Sequence, residues 1–489
     1  MKTLNTLLKK DPDQQFMIFL SLHVCVWFAA GVLFNRLNVD MLEMFVWGQE
    51  FQWGYHKHPP FPSWVVGGWF ALFPRTPQFF LILTQANVAL GLTFSYLLAR
   101  ELLEKSKALV AILLLELVVY HSFSGLTFCN NSILVSLWPA FAFFAFRALK
   151  HNHIRDWALA GFIGGLAMLS KYPSILLLIA AFVAFVINHK KNFMSQICKP
   201  GPLICLAVFL IMTLPHLYWL VHHDFMPMQY AANRYFKSGS VAFRIIEFIT
   251  VNALILSPII LIGKLTFKIP FKTMFRPNFS TLEKAFVSSI VYVPSLLMIV
   301  GALLFKAELG VQFATPFYFL FGVFIVSKAA VFSERSVKIV TRIVYAFLAF
   351  ILCLFIIFKI ILSQFYDKKE VYHMFYAEPI QALPQFIEKE WKTAFPGTPL
   401  KYVAGGGGYL YTLTFFCANH PSALLDFDEK KSPWIEEGAI QKDGATLLCQ
   451  NAECIEKAKT AFKSMPLEWK KVTINGLDFE YAFVGPKKF

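Results

Sequence analysis

Residues 16–36, FMIFLSLHVCVWFAAGVLFNR, are almost unbroken apolar sequence and lead into VDMLEMFVWGQEFQWGYHKHPPFPSW at 39–64. The first stretch matches the roughly 20 residues that a helix needs to cross a bilayer. It is too long for the apolar region of a signal peptide, and no small-residue cleavage site follows. It therefore reads as a retained membrane span, preceded by a polar basic tail. Similar runs recur at 78–98, 108–126, 132–149, 156–170, 173–188, 201–221, 245–263, 285–305, 312–327 and 339–362. A soluble core cannot bury that much apolar sequence. The chain of 489 residues is 57% hydrophobic with 54 Phe, and only 15% charged, against about 25% in average soluble domains. The fold class expected is a polytopic α-helical membrane protein with about eleven spans.

The net charge of +15 does not point to nucleic acid, because the bases are spread over short loops between spans and form no basic domain. With the N-terminus inside, the cytoplasmic loops carry Lys9 and Lys10, then Arg100, Lys105 and Lys107, then Arg147, Lys150 and Arg155, then Lys190, Lys191 and Lys199, then Lys264, Lys268, Lys272 and Arg276, then Lys328, Arg335 and Lys338. The opposite loops are poorer, holding mainly Arg36, Lys57, Arg75, Lys171, Arg234, Lys237, Arg244 and Lys306. This asymmetry predicts a cytoplasmic N-terminus. Residues 1–363 then form a membrane module, with a first external loop at 37–77, and residues 364–489 lie outside.

The tail reads as a small α/β domain. LKYVAGGGG at 400–408 looks like a strand running into a glycine turn, YLYTLTFFCANHP like a helix stopped by Pro421, SALLDFD and ATLLCQ like strands, and AECIEKAKTAFKSM like a helix. Gly405–Gly408 lack the Lys-Ser/Thr of a phosphate-binding loop, so a tight connection is the better reading. Cys449 and Cys454 fall in this external part, where a disulfide is compatible with an oxidising compartment. The spacing alone leaves that pairing open.

The external loops hold the groups that could do chemistry. As a helix, 39–53 places Asp40, Glu43, Trp47 and Glu50 on one face. This predicts an amphipathic helix at the membrane surface, with its acids toward water or a cavity and Glu50 simply solvated. Asp40 lies where the first span ends, at head-group depth. After Tyr55, Lys57 between His56 and His58 forms a compact cationic cluster stiffened by Pro59 and Pro60. Asn130 and Asn131 lie between the third and fourth spans, and Lys171 and Tyr172 at the external end of the fifth. His222, His223, Asp224, Tyr230 and Arg234 share another loop, and Glu308 follows the ninth span. Adjacent His side chains rarely converge on one ion, so no metal or other cofactor is expected at His222–Asp224. The charged clusters lie on one membrane face, while the spans are nearly free of ionisable groups apart from Glu116 and Glu247. That suits an enzyme acting on lipid-borne substrates better than a transporter, which places ionisable residues near mid-membrane.

The sequence resembles the GT-C membrane glycosyltransferases, in the bacterial branch of glycosyltransferase family 39. That branch includes the lipid A aminoarabinose transferase, lipopolysaccharide galacturonosyltransferases and protein O-mannosyltransferases. The stretches carrying the resemblance are VDMLEMFVWGQEFQWGYHKHPPFPSW, TFCNNSILVSLWPAFAFFAFRAL, GLAMLSKYPSILLL, PHLYWLVHHDFMPMQYA and LLDFDEKKSPW, in family order. Asp40 matches the leading Asp of the first-loop motif, which implies a catalytic base. The acid that often follows it is replaced by Met41, so Glu43 is the nearest second carboxylate. Asn131 stands where many relatives carry Asp. Lys57 matches a donor-phosphate ligand, and Lys171 the Lys of the fifth-span motif.

The resemblance implies a sugar donor on polyprenyl phosphate, inversion at the anomeric carbon, and a bacterial inner-membrane protein with a periplasmic C-terminal domain. The acceptor implied is lipid A or lipopolysaccharide core, with a protein hydroxyl second. The expected donor-phosphate set is Lys57, His56, His58, Tyr55, Lys171 and Arg234. The expected substrate-cavity set is Asn131, Tyr172, His222, His223, Asp224 and Glu308. A lipid carrier without chemistry is the alternative from another class.

Overall fold

The computed structural model describes residues 10–34, 37–235, 240–276, 281–329, 331–365, 381–463 and 465–486. Lys9, Arg36 and Lys237 of the charge pattern lie outside the described residues, as do 366–380 of the tail. The chain divides into two compact units that are not consecutive halves. One comprises 1–30, 57–61 and 81–354, and the other 31–56, 62–80 and 355–489.

In the first unit and its continuations, seven helices among the described residues are long and apolar enough to cross a membrane. They are Pro12–Leu33, Pro77–Leu102, Tyr172–His189, Pro200–His222, Val241–Leu265, Thr281–Phe305 and Glu334–Ile361. The protein is a multi-pass membrane protein. Residues 132–149 and 156–170 lie in the helices Leu134–His151 and Ile154–Met168.

Two expected spans take another form. Residues 108–126 are the end of a helix, Lys105–Leu113, followed by 3-10 turns at Leu114–Leu117 and Phe123–Leu126. Most of the irregular part, apart from Val119 and Phe123, is buried or half-buried in protein, the condition under which non-helical backbone is tolerated at membrane depth. Partners from other helices hold it. Glu116 is fully buried, with Oε2 2.5 Å from His23 Nδ1 and Oε1 accepting from Trp27 Nε1 at 2.8 Å. The Tyr120 hydroxyl lies 2.8 Å from Asn252 Oδ1 and 3.0 Å from the Val311 carbonyl. Residues 312–327 are likewise broken into a 3-10 turn, Val311–Ala314, and a short helix, Phe321–Val326. That helix packs closely on Lys105–Leu113 because Gly322 has no side chain: a Cβ there would stand 2.0 Å from the Ala111 carbonyl oxygen.

The second unit is built on a five-stranded mixed sheet of order β2-β1-β3-β5-β4. Its strands are β1 Tyr402–Gly405, β2 Ser422–Leu425, β3 Ala445–Cys449, β4 Lys470–Ile474 and β5 Leu477–Val484. The pairs β1/β2 and β1/β3 are parallel, and β3/β5 and β4/β5 antiparallel. Gly405 ends β1 at φ +156°, where a Cβ would meet the Leu448 carbonyl oxygen at 2.3 Å. This is the tight glycine connection expected from the sequence. The helix after it, Gly408–Phe416, ends before Pro421. Cys449 and Cys454 form a disulfide.

The helix Val39–Glu50 also belongs to this unit. Asn38 caps it, its Oδ1 accepting from the Met41 N–H at 3.0 Å, and Phe51 ends it in the left-handed region at φ 43°. Met41–Gly48 are all buried. A Cβ on Gly67 of the helix Phe61–Leu72 would stand 2.2 Å from the Gly48 carbonyl oxygen, so the two helices touch backbone to backbone. Phe45 packs edge-on against Phe70 and Phe415. The expected surface-lying helix with a wetted acidic face is therefore corrected: Val39–Glu50 is a core element, and only Asp40 of its three acids is exposed.

Candidate active site

In the first unit, the chain turns after the helix Ile154–Met168, and Lys171 adopts an extended conformation before Tyr172–Ser174 starts the next helix. The turn is anchored on both sides. The Phe61 N–H donates to the Leu169 carbonyl at 2.9 Å, and Asn130 Nδ2 to the Ser170 carbonyl at 3.0 Å. These bonds join the Pro59-Pro60 corner, the Asn130-Asn131 loop and the Lys171 turn, which are far apart in sequence.

The result is a cavity of about 560 Å³ lined by Lys57, His58, Lys171, Tyr172 and Glu308, with Tyr230 and Phe313 among its aromatic walls. Both ammonium groups are held at fixed points. Lys171 donates to Asn131 Oδ1 and stands over the Phe313 ring, 4.7 Å from its centroid. Lys57 stands over Tyr230 at 5.7 Å, within cation–π range, and His58 meets the same ring edge-on. Tyr172 is paired through its hydroxyl with His216 Nε2 at 3.1 Å. The remaining walls, including Ile175, Leu176, Leu297, Met298 and Phe305, are apolar. Among the described lining residues, two ammonium groups face one carboxylate, Glu308, which makes the cavity electropositive. Its apolar walls strengthen the attraction of an anion.

The other expected residues of this unit lie elsewhere. Arg234 is exposed on the helix Met226–Tyr235, whose Tyr230 and Tyr235 line the cavity. His222 and His223 turn Nδ1 toward the carbonyls of Tyr218 and Trp219, at 2.9 and 2.8 Å, and Asp224 is exposed with φ 52°. None of these four lines the cavity. Asn131 reaches it through Lys171.

In the second unit, Asp40 occupies the first turn of Val39–Glu50 and is exposed. Glu43 is buried and accepts from the Tyr411 hydroxyl at 3.0 Å. Tyr55 is buried, stacks on Trp47 and donates to the Trp47 carbonyl at 2.6 Å, while His56 meets Trp47 edge-on. Burial raises the Tyr55 phenol above its ordinary value. Glu50 is not the solvated acid expected. Burial pushes its carboxyl up to about 7, against the opposing effect of a hydrogen bond with the Ser422 side chain, and Oε1 has no hydrogen-bond partner among the described residues. Phe313 and Tyr411 carry no signal in the sequence, where an aromatic residue in an apolar stretch gives no sign that it meets a cation or a carboxylate.

The fold has close counterparts among solved structures. ArnT from Cupriavidus metallidurans bound to undecaprenyl phosphate superposes with a TM-score of 0.61 over 96% of this chain and 99% of that one, at 13% identity. Its apo form gives 0.56 over the same shares. The chain has the GT-C fold. The sequence agrees: residues 57–219 match the dolichyl-phosphate-mannose-protein mannosyltransferase family model. Two lipopolysaccharide core galacturonosyltransferases of Rhizobium johnstonii are also similar. RgtB is 30% identical over 195 residues and RgtA 25% over 194. Each match spans 38% of the relative's length, and 38% and 39% of this chain. The resemblance to the GT-C membrane glycosyltransferases thus holds in sequence and in fold.

Proposed function

We propose that this protein is an inverting glycosyltransferase that moves a sugar from a polyprenyl-phosphate donor to a lipid A or lipopolysaccharide-type acceptor. The observation that carries this reading is the pairing of Lys57 and Lys171 in one apolar-walled cavity, which suits a phosphate borne on a lipid. The relatives support it in kind, being named for lipopolysaccharide core transfer, as does ArnT, described with undecaprenyl phosphate. The acceptor hydroxyl oxygen forms a bond to C1 as the bond from C1 to the phosphate oxygen breaks. The electron pair leaves with the phosphate, whose growing charge Lys57 and Lys171 stabilise. Asp40 takes the hydroxyl proton. The products are the glycosylated acceptor and polyprenyl phosphate, and neither nucleotide nor metal takes part.

The chain is proposed to cross the inner membrane an odd number of times, with the N-terminus cytoplasmic and the C-terminal domain in the periplasm. Reporter fusions beyond residue 363 should then act as periplasmic reporters, and cytoplasmic activity would overturn this arrangement. The decisive test of function incubates purified protein with a labelled polyprenyl-phosphate sugar and lipopolysaccharide. Label in the lipopolysaccharide, lost in Lys57→Ala, supports the proposal. Donor binding without transfer to lipopolysaccharide or protein would make the molecule a carrier, and label on protein alone would move the acceptor to a protein hydroxyl.

A further inference from the structure

A second cavity, of about 350 Å³, lies along the helix Ile175–His189. Ile175, Leu178, Phe182 and Phe185 line it at spacings that put them on one helical face. Ala160, Gly161 and Gly164 of the helix Ile154–Met168 form another wall. These small residues leave the space open. Gly161 also brings that helix against Pro200–His222, since a Cβ there would stand 2.2 Å from the Cys205 carbonyl oxygen. The cavity opens outward, because its lining residues Phe182, Leu203 and Leu206 are 48%, 51% and 54% exposed.

One end is distinctive. The short helix Phe193–Ile197 closes it, with Ile197 lining the cavity and Phe193 against Phe185, centroids 6.0 Å apart. Lys190 and Lys191 precede this helix and Lys199 follows it, all exposed. No acidic residue occurs anywhere in 187–212. Trp157 completes that end and hydrogen-bonds to Asn152, the habit of an indole at a membrane interface. The basic end is the far end of the Ile175–His189 helix from Lys171 and Tyr172.

We propose that this cavity seats an acyl chain of an anionic phospholipid whose phosphate is held by Lys190, Lys191 and Lys199. The occupant is anionic because the segment closing this end carries three lysines and no acid, and a basic residue at a membrane surface attracts anionic lipid by about 1 kcal/mol, or about fivefold. It is a separate lipid from the glycosyl donor, because a donor phosphate at Lys57 and Lys171 lies at the other end of the helix. Ile175 lines both cavities, so the test must separate the two lipids.

Native mass spectrometry of the delipidated full-length protein, mixed with phosphatidylglycerol or phosphatidylcholine, makes the separation. The expected result is one phosphatidylglycerol retained per chain, at least about tenfold over phosphatidylcholine. The triple variant K190Q/K191Q/K199Q should lose that preference. Ala181→Phe, which fills the cavity, should lose retention of both lipids. Binding of undecaprenyl phosphate should be unchanged in the triple variant. Equal retention of the two phospholipids, or an unaltered preference in the triple variant, would mean annular lipid only and overturn the proposal. One-for-one displacement of phosphatidylglycerol by undecaprenyl phosphate would overturn it by assigning the cavity to the donor's tail. Should Ala181→Phe fail to fold, the triple variant decides alone, since its three side chains are exposed.

Discussion

Replacing Lys171 by Met keeps the length and apolar character of the side chain and removes its ammonium. In the cavity that group has three uses: a hydrogen bond to Asn131, a position over Phe313, and, on the proposed function, a charge-assisted bond to the donor phosphate. A hydrogen bond to a charged group contributes about 1.5–3 kcal/mol. At 1.4 kcal/mol per tenfold, Lys171→Met should weaken binding of a polyprenyl phosphate by about 10- to 140-fold. Phe313→Leu removes the cation–π contact, about 0.5–2 kcal/mol, along with an edge-on contact to Tyr235, and through the lost cation–π contact should weaken binding by about 2- to 30-fold. The two effects must not add. With no ammonium to hold, Phe313→Leu should be nearly silent in the Lys171→Met background, a coupling of the same 0.5–2 kcal/mol measured as a double-mutant cycle. The assay is equilibrium binding of labelled undecaprenyl phosphate to purified protein in detergent at fixed ionic strength. If Lys171→Met binds within about twofold of wild type, the phosphate does not meet this lysine. If Phe313→Leu costs the same factor in both backgrounds, Phe313 acts on the lipid and not through Lys171.

Asp40→Asn should lower transfer by about 10²- to 10⁴-fold, the usual cost of losing a general base, with donor binding retained; near-normal turnover at matched membrane levels would end the assignment. Glu50→Gln should change how stability depends on pH. With its carboxyl raised from 4.5 to about 7, Glu50 favours the folded state fully below about pH 4.5 and loses that contribution as pH rises through 7, about 3 kcal/mol at 1.36 kcal/mol per pH unit. Melting temperatures of wild type should therefore fall relative to the Gln variant between pH 5 and 8, and parallel curves would show that Glu50 titrates normally. Incubation with a chelator should leave transfer unchanged, because Asn131 stands where a second carboxylate would be and its amide oxygen already accepts from Lys171; loss of activity restored by a divalent cation would refute a metal-free reaction.

The long spans were legible because a run of apolar side chains near bilayer length has few other solutions. The same signal failed at 114–126 and 311–320, where hydropathy cannot tell a spanning helix from irregular chain buried in protein. What decides there is whether distant groups satisfy the backbone and the buried acid. The partners of Glu116, His23 and Trp27, lie 93 and 89 residues away. The cavity was legible in its charged members, Lys57, His58, Lys171 and Glu308, because cations in otherwise base-poor loops stand out. Of its aromatic supports, Tyr230 stood out beside the histidines of its loop, but Phe313 looks like an ordinary interface residue until a cation is found over its ring.

The helix Val39–Glu50 shows most directly what periodicity leaves undetermined. Its spacing puts Asp40, Glu43 and Glu50 on one face, but spacing carries no information about what covers that face. The cover is the helix Gly408–Phe416, which supplies Tyr411 to Glu43 across 368 residues of sequence, and β2, which supplies Ser422 to Glu50. Once covered, the three acids have different chemistry. A general base must be ionised and reachable. Glu43 is enclosed and bonded, and Glu50 is held toward its protonated form near neutral pH. Asp40 is exposed in the first helical turn and open to solvent. The packing of the helix, more than the order of acids along it, therefore makes Asp40 the base to test and leaves Glu43 as a supporting residue of the core.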